Sequence, residues 1–441
     1  MHGLDRIREA AAGDKSLRFT NLMHHITVDL LREAYRELKH DSAAGVDEVT
    51  WREYGDGLEG RVTGLHDRVQ SGGYRAKPSK RIYIPKPDGR MRPIGIAALE
   101  DKIVQKAAVM VLNRIYEEDF FGFSYGFRPE RRQHGALDAV FVGITQRKVN
   151  YVLDVDIRSF FDTINHAWLM KFLECRIADP RMLRLIRKWL RAGVSEDGQW
   201  SKTEVGTPQG AVISPLLSNV YLHYVLDKWV QAWRRDKAHG DVIIVRYADD
   251  FVMGFQHRKE AEHFLEELKE RFAYYGLEIH GEKTRLIEFG RFAESNRVER
   301  GEGKPETFDF LGFTHICCRT RNGNRFTIRR KTITKRLRAK IKEVRGETIR
   351  RRHEPVPELG KWLCSVVRGH LNYFAVPGNK RAIDTFRTEV IKAWLFALRR
   401  RSQKSRNLTW ERVKRLIKTW IPTAKVLHPY PNQRLCVNYP R

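Results

Sequence analysis

Apolar residues recur along the chain with two periods, and each period predicts a different kind of element. Between residues 27 and 38 they lie three or four positions apart, as on one face of a helix. Shorter runs rich in β-branched and aromatic residues predict strands, because such side chains pack well on a pleated sheet. The predicted helices are 27–38, 99–118, 181–192, 215–233 and 259–275, and the predicted extended segments are 76–95, 151–157, 242–255 and 277–289.

Two of the extended segments have turn residues near their centre and are predicted to be hairpins. The turns are KPDG at 86–89 and YADD at 247–250. The second turn carries two adjacent carboxylates, which repel each other and lose hydration if they are partly buried. A divalent cation that prefers oxygen ligands, Mg²⁺ or Mn²⁺, would offset that cost. The alternative is that the turn uses Asp for local hydrogen bonding alone.

The strand predicted at 151–157 ends in acidic residues within an apolar run. Side chains alternate on a strand, so Asp154 and Asp156 share a face. Two-metal phosphoryl transfer needs carboxylates that converge from separate elements. This strand and the turn at Asp249 meet only if the two strands are neighbours in one sheet. Which strand carboxylate binds metal is left open, and an edge Asp that is only hydrogen bonded is the alternative.

Charge gives the first indication of a partner. The 441 residues include 82 Lys and Arg against 54 Asp and Glu, a formal net charge of +28. This excess indicates nucleic acid, because phosphate neutralisation dominates the binding of such polyanions. A basic membrane-surface protein would need a large amphipathic or lipidated segment, and none is found in the sequence. The length predicts two to three domains, and 41% hydrophobic residues indicate a globular chain.

The five cysteines give no sign of a metal or disulfide framework. None forms a CxxC pair, so neither a zinc ribbon nor a disulfide scaffold is predicted. We expect a reduced, cytosolic setting. The N-terminus lacks a signal-peptide pattern, and no apolar stretch has membrane-spanning length.

Beyond residue 313 the chain is predicted to be helical and strongly basic, after a polar boundary at 291–305. Lys and Arg cover most of one predicted helix at 329–345, and a helix charged on nearly all sides is rare in a globular protein. Contact with nucleic-acid phosphates, including those of folded RNA, would explain the charge, and a solvated face is the alternative. The residues predicted to bind RNA are Arg329, Arg330, Lys331, Lys335 and Arg336.

The order of motifs along the chain resembles that of reverse transcriptases. The acidic segment 156–162 and the YADD turn resemble motifs A and C, and residues 84–95 resemble the fingers hairpin. GTPQG at 206–210 with SPLLSN at 214–219 resembles motif B. Three further segments follow in the expected order: YGFRP at 125–129, EKT at 282–284 and FLGF at 310–313. The resemblance implies an α+β right-hand polymerase with fingers, an antiparallel palm sheet and a helical thumb.

Within that family the chain most resembles bacterial group II intron reverse transcriptases, also called maturases. LRFTNLM at 17–23 resembles their N-terminal extension, and 368–379 resembles the maturase-specific region. Many members end in a zinc-bearing endonuclease with paired CxxC motifs, whereas only Cys436 follows Trp410 here. We therefore expect no endonuclease, and priming from nicked or replicating DNA. The implied domains are 1–75 for the N-terminal extension and start of the fingers, 76–300 for fingers and palm, and 301–441 for thumb, maturase region and basic tail.

The resemblance also implies catalytic roles for individual residues. Asp156, Asp249 and Asp250 would bind two Mg²⁺ ions, or Mn²⁺, with Ile157 as a further metal contact. The metals would activate the primer 3′-hydroxyl and neutralise the leaving pyrophosphate. Lys283 would be the general acid for pyrophosphate. For the second hairpin carboxylate, a role in setting the geometry is the alternative.

Nucleotide-binding roles fall on the fingers hairpin and on motif A. Lys86 and Arg92 would hold the incoming triphosphate, because cations suit the charge that develops there. The backbone amides of Ile157 and Arg158 would be further donors. The ring of Phe161 would lie under the sugar and exclude a 2′-hydroxyl, which favours dNTPs.

Motif B is implied to complete the nucleotide pocket. Gln209 would contact the nucleotide or the template, and Gly210 would permit close approach of the backbone. Plainer alternatives accompany these roles: the two fingers cations are solvated charges, Phe161 is core, and residues 206–210 form only a helix-entry turn.

The implied function is RNA-directed DNA synthesis for a group II intron, with RNA binding that assists splicing and target-primed insertion. The expected partners are the intron RNA, the RNA template–DNA primer duplex, target DNA and dNTPs, with no membrane, in a bacterial cytoplasm at the nucleoid. Whether the protein is a monomer or a dimer is left open. The alternatives are a reverse transcriptase in host defence or repair, and a non-enzymatic splicing factor with a vestigial palm. The retained carboxylates argue against the latter, because costly charges are lost first once function is lost.

Overall fold

Helices and a hairpin form the first part of the chain. The computed structural model describes residues 2–85, 89, 91–196, 199–201, 205–207, 210–320, 322, 324–401, 403 and 408–435. The first elements are α1 (His2–Gly13), α2 (Val28–Glu37), α3 (Trp51–Gly55), α4 (Leu58–Ser71), β1 (Ser79–Pro85), β2 (Met91–Ile96) and α5 (Leu99–Asp119). β1 and β2 pair antiparallel, which confirms the predicted hairpin. Residues 86–88 and 90 of its turn lie outside the described residues.

The central part contains the largest sheet. Its elements are α6 (Gln133–Gln146), β3 (Tyr151–Val155), α7 (Phe160–Thr163), α8 (His166–Glu174), α9 (Pro180–Arg191), β4 (Val194–Glu196), β5 (Gln199–Ser201), α10 (Ser214–Leu222), a π-helix (His223–Asp227), α11 (Lys228–Asp236), β6 (Val242–Tyr247), β7 (Asp250–Phe255), α12 (Arg258–Tyr274) and β8 (Arg285–Glu288). The palm sheet is antiparallel with the strand order β6-β7-β3-β8, and a second sheet has the order β2-β1-β4-β5.

The predicted strands and hairpin of the palm are confirmed, with one correction. The segment 277–289 was predicted to be extended throughout, but it pairs as a strand only over Arg285–Glu288. A single bridge joins Ile279 to Ile157 before that strand begins. The short strand still borders β3, so the acidic strand lies inside the sheet with a neighbour on each side.

The last part of the chain is mainly helical. Its elements are α13 (Ala293–Glu299), β9 (Phe308–Phe310), β10 (Phe313–Arg319), β11 (Phe326–Thr332), α14 (Thr334–Arg350), α15 (Val356–Phe374), α16 (Lys380–Arg399), α17 (Trp410–Trp420) and α18 (Pro431–Arg434). The boundary predicted at 291–305 therefore contains a helix. The basic helix predicted at 329–345 was wrong at its start, because residues 326–332 form a strand that pairs with β10.

Three apolar cores hold these elements together. The first joins α1, α2 and α4 to α5 and the helices behind the palm sheet, so residues 1–75 share one core with the palm. The second lies between α6, the palm sheet and β9–β11. The third is formed by α14 to α17. The domain limits stay predictions within this arrangement. No helix in the described part of the chain is long and apolar enough to cross a membrane.

Asp179 anchors the N-terminal segment to the palm helices. This buried carboxylate accepts hydrogen bonds from the first amides of α9, at Arg181 and Met182. It also accepts the amides of Leu22 and Met23, at 2.7 and 2.9 Å. Asp is favoured at such a helix start because its oxygens satisfy amides that have no partner within the helix. One side chain thus caps the start of a helix and holds a segment more than 150 positions away.

Asp138 on α6 joins three distant parts of the chain. Its buried carboxylate contacts Arg330 of β11 at 2.8 Å and also binds Arg434 of α18. Arg434 in turn donates to His428, whose other ring nitrogen lies 2.8 Å from the Asn372 carbonyl of α15. Residues 428–434 therefore pass from the thumb helices back to the palm. A buried carboxylate needs such partners, because its desolvation is costly when it is unpaired.

Two buried histidines should make the fold sensitive to acid. Burial lowers the pKa of His223 and of His315 to about 3. The unfolded chain binds protons near pH 6.5, so their contribution to stability is present above that pH and is lost as the pH falls toward 3. We expect each to reduce the free energy of unfolding by about 2 kcal/mol between pH 7 and pH 5. Urea unfolding at the two pH values measures this loss.

A variant of His315 tests the assignment. His315 stacks on Phe308 with ring centroids 4.6 Å apart, and His315→Leu keeps an apolar filling there. The variant should lose about half of the pH dependence that the two histidines produce. His239→Leu, at an exposed position, is the control and should change nothing. An unchanged pH dependence in His315→Leu would contradict the assignment.

Candidate active site

The register of the palm sheet brings the acidic residues of two strands to one place. β3 and β7 are neighbours, with Asp154 opposite Val252 and Val155 opposite Phe251. Continuing this register by one position sets Asp156 opposite Asp250. Because side chains alternate, Asp154, Asp156 and Asp250 then share one face of the sheet. The condition set by the sequence, that the two strands be neighbours, is met.

The YADD turn is a two-residue hairpin loop in a strained conformation. Tyr247 pairs with Asp250, so Ala248 and Asp249 form the loop. Ala248 has φ of +59°, in the left-handed region that disfavours any side chain. Gly126 presses against this loop, since a Cβ there would lie 2.2 Å from the Ala248 amide nitrogen. The YGFRP segment therefore packs directly against the turn at Ala248.

The carboxylates at the turn are held in an unfavourable electrostatic environment. By surface area Asp249 is half-buried and Asp250 is exposed, although protein atoms crowd around both carboxylates. Desolvation raises the pKa of Asp249, and the charge of Asp156 raises it further. Desolvation also raises the pKa of Asp250, to which the charges of Asp154, Asp249 and Asp156 add. Neighbouring carboxylates thus raise the proton affinity of Asp249 and Asp250, which indicates a site that needs a cation.

Lys283 provides a positive charge at this site. Its Nζ lies 2.9 Å from Oδ2 of Asp156 in a half-exposed ion pair. The sequence reasoning implied Lys283 as a general acid, and that role stays a prediction. The structure does place the ammonium group at the carboxylate group of motif A.

The donor set fits a divalent cation. Carboxylate oxygens are the ligands that Mg²⁺ and Mn²⁺ prefer, and a cation would relieve the repulsion that raises the pKa values of Asp249 and Asp250. Among the described residues, no three His, Cys, Asp or Glu side chains are already gathered around one point. One oxygen of Asp156 is instead bound by Lys283. Asp156, Asp249 and Asp250 would hold the ion after that ion pair opens. The Ile157 contact stays a prediction.

Two cations face the carboxylates from outside the palm sheet. Arg92, on β2 opposite Ile84, is exposed, and its charge lowers the pKa of Asp249. The charge of Arg336, on α14, likewise opposes the rise in the pKa of Asp250. One arginine of β2 and one of α14 thus offset part of the negative charge at the turn. Lys86 and Gln209, predicted to contact the nucleotide, lie outside the described residues.

Motif B is held against motif A and the fingers by its glycines. Gly206 has φ of +85°, and a Cβ there would lie 2.8 Å from the Phe161 carbonyl oxygen. The amide of Thr207 donates to that same oxygen at 2.8 Å. Gly210, with φ of +110°, approaches the Gly95 carbonyl of β2. Only glycine combines these backbone angles with such close approach. Gly210 thus packs against the fingers strand, and its role in the nucleotide pocket stays a prediction.

One predicted phosphate donor is already used within the protein. The amide of Arg158 donates to the Glu278 carbonyl at 2.8 Å, and the Arg158 side chain pairs with the Glu278 carboxylate at 3.0 Å. The prediction that this amide binds the triphosphate was therefore wrong. No bond of the Ile157 amide conflicts with its predicted role. The side chain of Phe161 is half-buried beside Phe160, which suits either a sugar contact or the edge of the core.

The basic residues predicted to bind RNA separate into exposed and buried positions. On β11 the side chains alternate, so Arg329 and Lys331 are exposed while Arg330 points inward to Asp138. The prediction was wrong for Arg330, whose charge stabilises the interior. Lys335 and Arg336 are exposed on α14. The four exposed residues form the basic face of the thumb.

Sequence reasoning missed the residues that support the turn from below. Arg246 and Asp227 are fully buried, and Arg246 also contacts Asn219 and the Ala248 carbonyl. A signal was present: Arg246 is a lone charge at the end of an otherwise apolar strand, directly before the turn. Buried charges at such positions need a specific partner.

Comparison with known proteins identifies the family. Residues 84–315, more than half of the chain, match the family model described as reverse transcriptase (RNA-dependent DNA polymerase). The chain belongs to the reverse transcriptase family. The match extends from the fingers hairpin to β10 and contains the palm sheet with its catalytic turn.

Similar proteins include intron-encoded ones. The reverse transcriptase is 38% identical over 275 residues to Protein YkfC of Escherichia coli (strain K12), covering 55% of this chain and 72% of that protein. It is 36% identical over 233 residues to Group II intron-encoded protein LtrA of Lactococcus lactis subsp. cremoris, covering 52% of this chain but only 38% of LtrA. It is 34% identical over 209 residues to the Putative COX1/OXI3 intron 1 protein of Saccharomyces cerevisiae, 46% of this chain and 24% of that protein.

These similarities confirm the central predictions. The chain has the α+β right-hand polymerase fold, RNA-directed DNA polymerase is its enzyme class, and it is similar to group II intron reverse transcriptases. The family acts on RNA and uses divalent metal ions.

Proposed function

We propose that this reverse transcriptase serves a bacterial group II intron in the cytoplasm, at the nucleoid. It extends a DNA primer on the intron RNA and binds that RNA to assist splicing and mobility at target DNA. The observation that carries the proposal is the pairing of β3 with β7, which brings Asp156 together with the YADD turn. Similarity to LtrA, whose name is that of a group II intron-encoded protein, supports the intron as partner.

The proposed reaction transfers a nucleotidyl group. The primer 3′-hydroxyl loses its proton to solvent as its oxygen forms a bond to the α-phosphorus of a dNTP, and the bond from that phosphorus to the bridging oxygen of pyrophosphate breaks. Asp156, Asp249 and Asp250 would hold two Mg²⁺ ions, or Mn²⁺, and the ions would supply activation of the hydroxyl and neutralisation of the leaving group. Arg92 binds the triphosphate beside the turn. Lys283, released from Asp156, gives a proton to the departing pyrophosphate.

Primer extension on an RNA template with dNTPs and Mg²⁺ tests the activity. We expect full-length cDNA from the wild-type protein. Parallel binding assays compare RNA transcribed from the DNA that flanks the gene with an unrelated RNA of equal length. Tighter binding of the flanking transcript supports an intron partner. Equal binding with retained extension would indicate a reverse transcriptase of defence or repair, and RNA binding without extension would indicate a splicing factor.

The basic face of the thumb offers a separate test of RNA binding. Replacing Arg329, Lys331 and Lys335 with alanine removes three exposed charges from this face. Each lost phosphate contact should lower the slope of log affinity against log salt by about 0.7 to 0.9. We therefore expect the slope to fall by about 2 to 3, with a loss of affinity on the order of a hundredfold at 0.1 M salt. Filter binding over a range of salt concentrations measures both.

A matched control removes the same charge elsewhere. Lys361, Lys380 and Lys392 are exposed on α15 and α16, and each is paired with a carboxylate three or four positions away. Their triple alanine variant should lower the slope by less than 1, since paired lysines release few counterions. Equal slopes in both triple variants would mean that net charge, and not the basic face of the thumb, controls RNA binding.

A further inference from the structure

A buried ion pair lies directly under the catalytic turn. Arg246, the penultimate residue of β6, and Asp227, at the end of the π-helix, both have no exposed surface. Nε and Nη2 of Arg246 donate to the two carboxylate oxygens of Asp227, at 2.8 and 2.5 Å. This two-point contact fixes the plane of the guanidinium group, because its donors match the two carboxylate oxygens.

The third guanidinium nitrogen of Arg246 binds the turn itself. Nη1 of Arg246 donates to the carbonyl oxygen of Ala248 at 2.9 Å and to Oδ1 of Asn219 at 3.0 Å. The carbonyl of Ala248 belongs to the peptide that leads into Asp249. Its direction therefore decides the direction of the carboxylate that follows.

A second contact closes the turn from the opposite side. Nδ2 of Asn219 donates to the Gly126 carbonyl at 2.7 Å, and Gly126 abuts the amide of Ala248. Ala248 is thus held at its carbonyl by Arg246 and confined at its amide by Gly126. The two supports are connected through Asn219. A left-handed alanine persists only where its surroundings fix it in this way.

The π-helix explains how Asp227 reaches this position. α10, the π-helix His223–Asp227 and α11 form one continuous helical run from Ser214 to Asp236. A π-turn adds one residue to the helical turn and so rotates the residues that follow it relative to those before it. Asn219 precedes the π-turn and Asp227 ends it, yet both contact the same guanidinium group. The irregular turn permits one helix to hold Arg246 at two places.

We propose that Arg246, held by Asp227 and Asn219, is a positioning residue that fixes the Ala248–Asp249 peptide and thereby aims the carboxylate of Asp249 for catalysis. The inference rests on the proposed polymerase activity of the same site. It assigns to the buried pair an effect on the rate of the chemical step, in addition to any effect on stability.

The test replaces the pair by apolar side chains of similar size. Buried ion pairs often tolerate such replacement without loss of folding, so Arg246→Met/Asp227→Leu should retain the wild-type circular dichroism and RNA affinity. We expect kcat for dNTP incorporation to fall on the order of a hundredfold, as for a misplaced catalytic group. The KM for dNTP should stay within about threefold, and the Mg²⁺ concentration for half-maximal rate should rise.

A second variant and a control keep the test decisive. Arg246→Lys keeps the charge beside Asp227 but lacks the planar fork that also reaches Ala248, so it should lower kcat and raise the Mg²⁺ requirement as well. If the double variant does not fold, Arg246→Lys alone tests the positioning role. The control is Arg176→Met/Asp119→Leu, which removes another buried pair, with a 2.9 Å contact, at the N-terminal segment. It should leave kcat and the Mg²⁺ dependence unchanged.

The possible results distinguish failure of the proposed polymerase activity from failure of the positioning role of Arg246. No extension by the wild-type protein would overturn the proposed function itself. An active wild type with unchanged kcat and Mg²⁺ dependence in the folded double variant, or in Arg246→Lys, would overturn the positioning role. Equal losses in the control would also overturn it, because they would reflect general destabilisation.

Discussion

Asp249→Asn is expected to abolish DNA synthesis while leaving RNA binding intact. The change removes one negative charge from the turn, and metal ligation of this kind is worth several kcal/mol in the transition state, so kcat should fall on the order of a thousandfold or more. RNA affinity should stay within about twofold, because the charges that bind phosphate lie on other elements. Single-turnover primer extension and filter binding on the same preparation measure the two effects.

Thermal stability distinguishes lost chemistry from lost structure. Desolvation and the charge of Asp156 raise the pKa of Asp249, so its ionised form destabilises the fold and the neutral amide should not lower the melting temperature. Asp236→Asn, which removes an exposed carboxylate at the end of α11, is the matched control and should keep full activity. Joint loss of synthesis and RNA binding in Asp249→Asn would contradict the division of roles between palm and thumb.

Phe161→Ala is expected to weaken the discrimination between dNTPs and rNTPs. The ring of Phe161 is half-buried beside Phe160, and the Phe161 carbonyl accepts a hydrogen bond from the Thr207 amide of the motif B loop. If the ring excludes a 2′-hydroxyl by its bulk, its removal should raise the relative kcat/KM for rNTPs roughly tenfold to a hundredfold. Incorporation of each nucleotide from matched dNTP and rNTP pairs measures the ratio.

The control for this prediction keeps the ring. Phe161→Tyr retains the aromatic bulk and should retain the discrimination. Because both variants change the same position at the edge of the core, a difference between them reports on the bulk of the ring. Discrimination at the wild-type level in Phe161→Ala would assign the ring to packing against Phe160, and the accompanying loss would then be one of stability alone.

The sequence was sufficient for those parts of the site that rest on short-range patterns. The alternation at Asp154 and Asp156, and the turn at Asp249, predicted one acidic face on the condition that two strands are neighbours. The condition depends on a contact between residues about 100 positions apart, which no local pattern contains. The family resemblance supplied that information, and the pairing of β3 with β7 agrees with it.

The misread elements share a physical cause, because each depends on tertiary partners. Dense Lys and Arg made 329–345 look like one helix, although Arg330 alternates with Arg329 and Lys331 as strand residues do. The buried position of Arg330 depends on Asp138, which is 192 residues away. The sequence left the amide of Arg158 free to bind phosphate, whereas in the structure it donates to the Glu278 carbonyl, 120 positions away. The π-turn ending at Asp227 has no periodic signature, since it shifts the helical period by a single residue.

The Asp138 site has a consequence for synthesis on the ribosome. Its carboxylate is buried in α6, yet one of its two arginine partners, Arg434, follows 296 residues later. During translation the carboxylate of Asp138 therefore lacks one of its two partners until nearly all of the described chain has emerged from the ribosome. Contacts of such long sequence separation form late, and intermediates that lack them are prone to aggregate. Nascent chains stalled before residue 428 should accordingly depend on chaperones to a greater degree than chains released after residue 435.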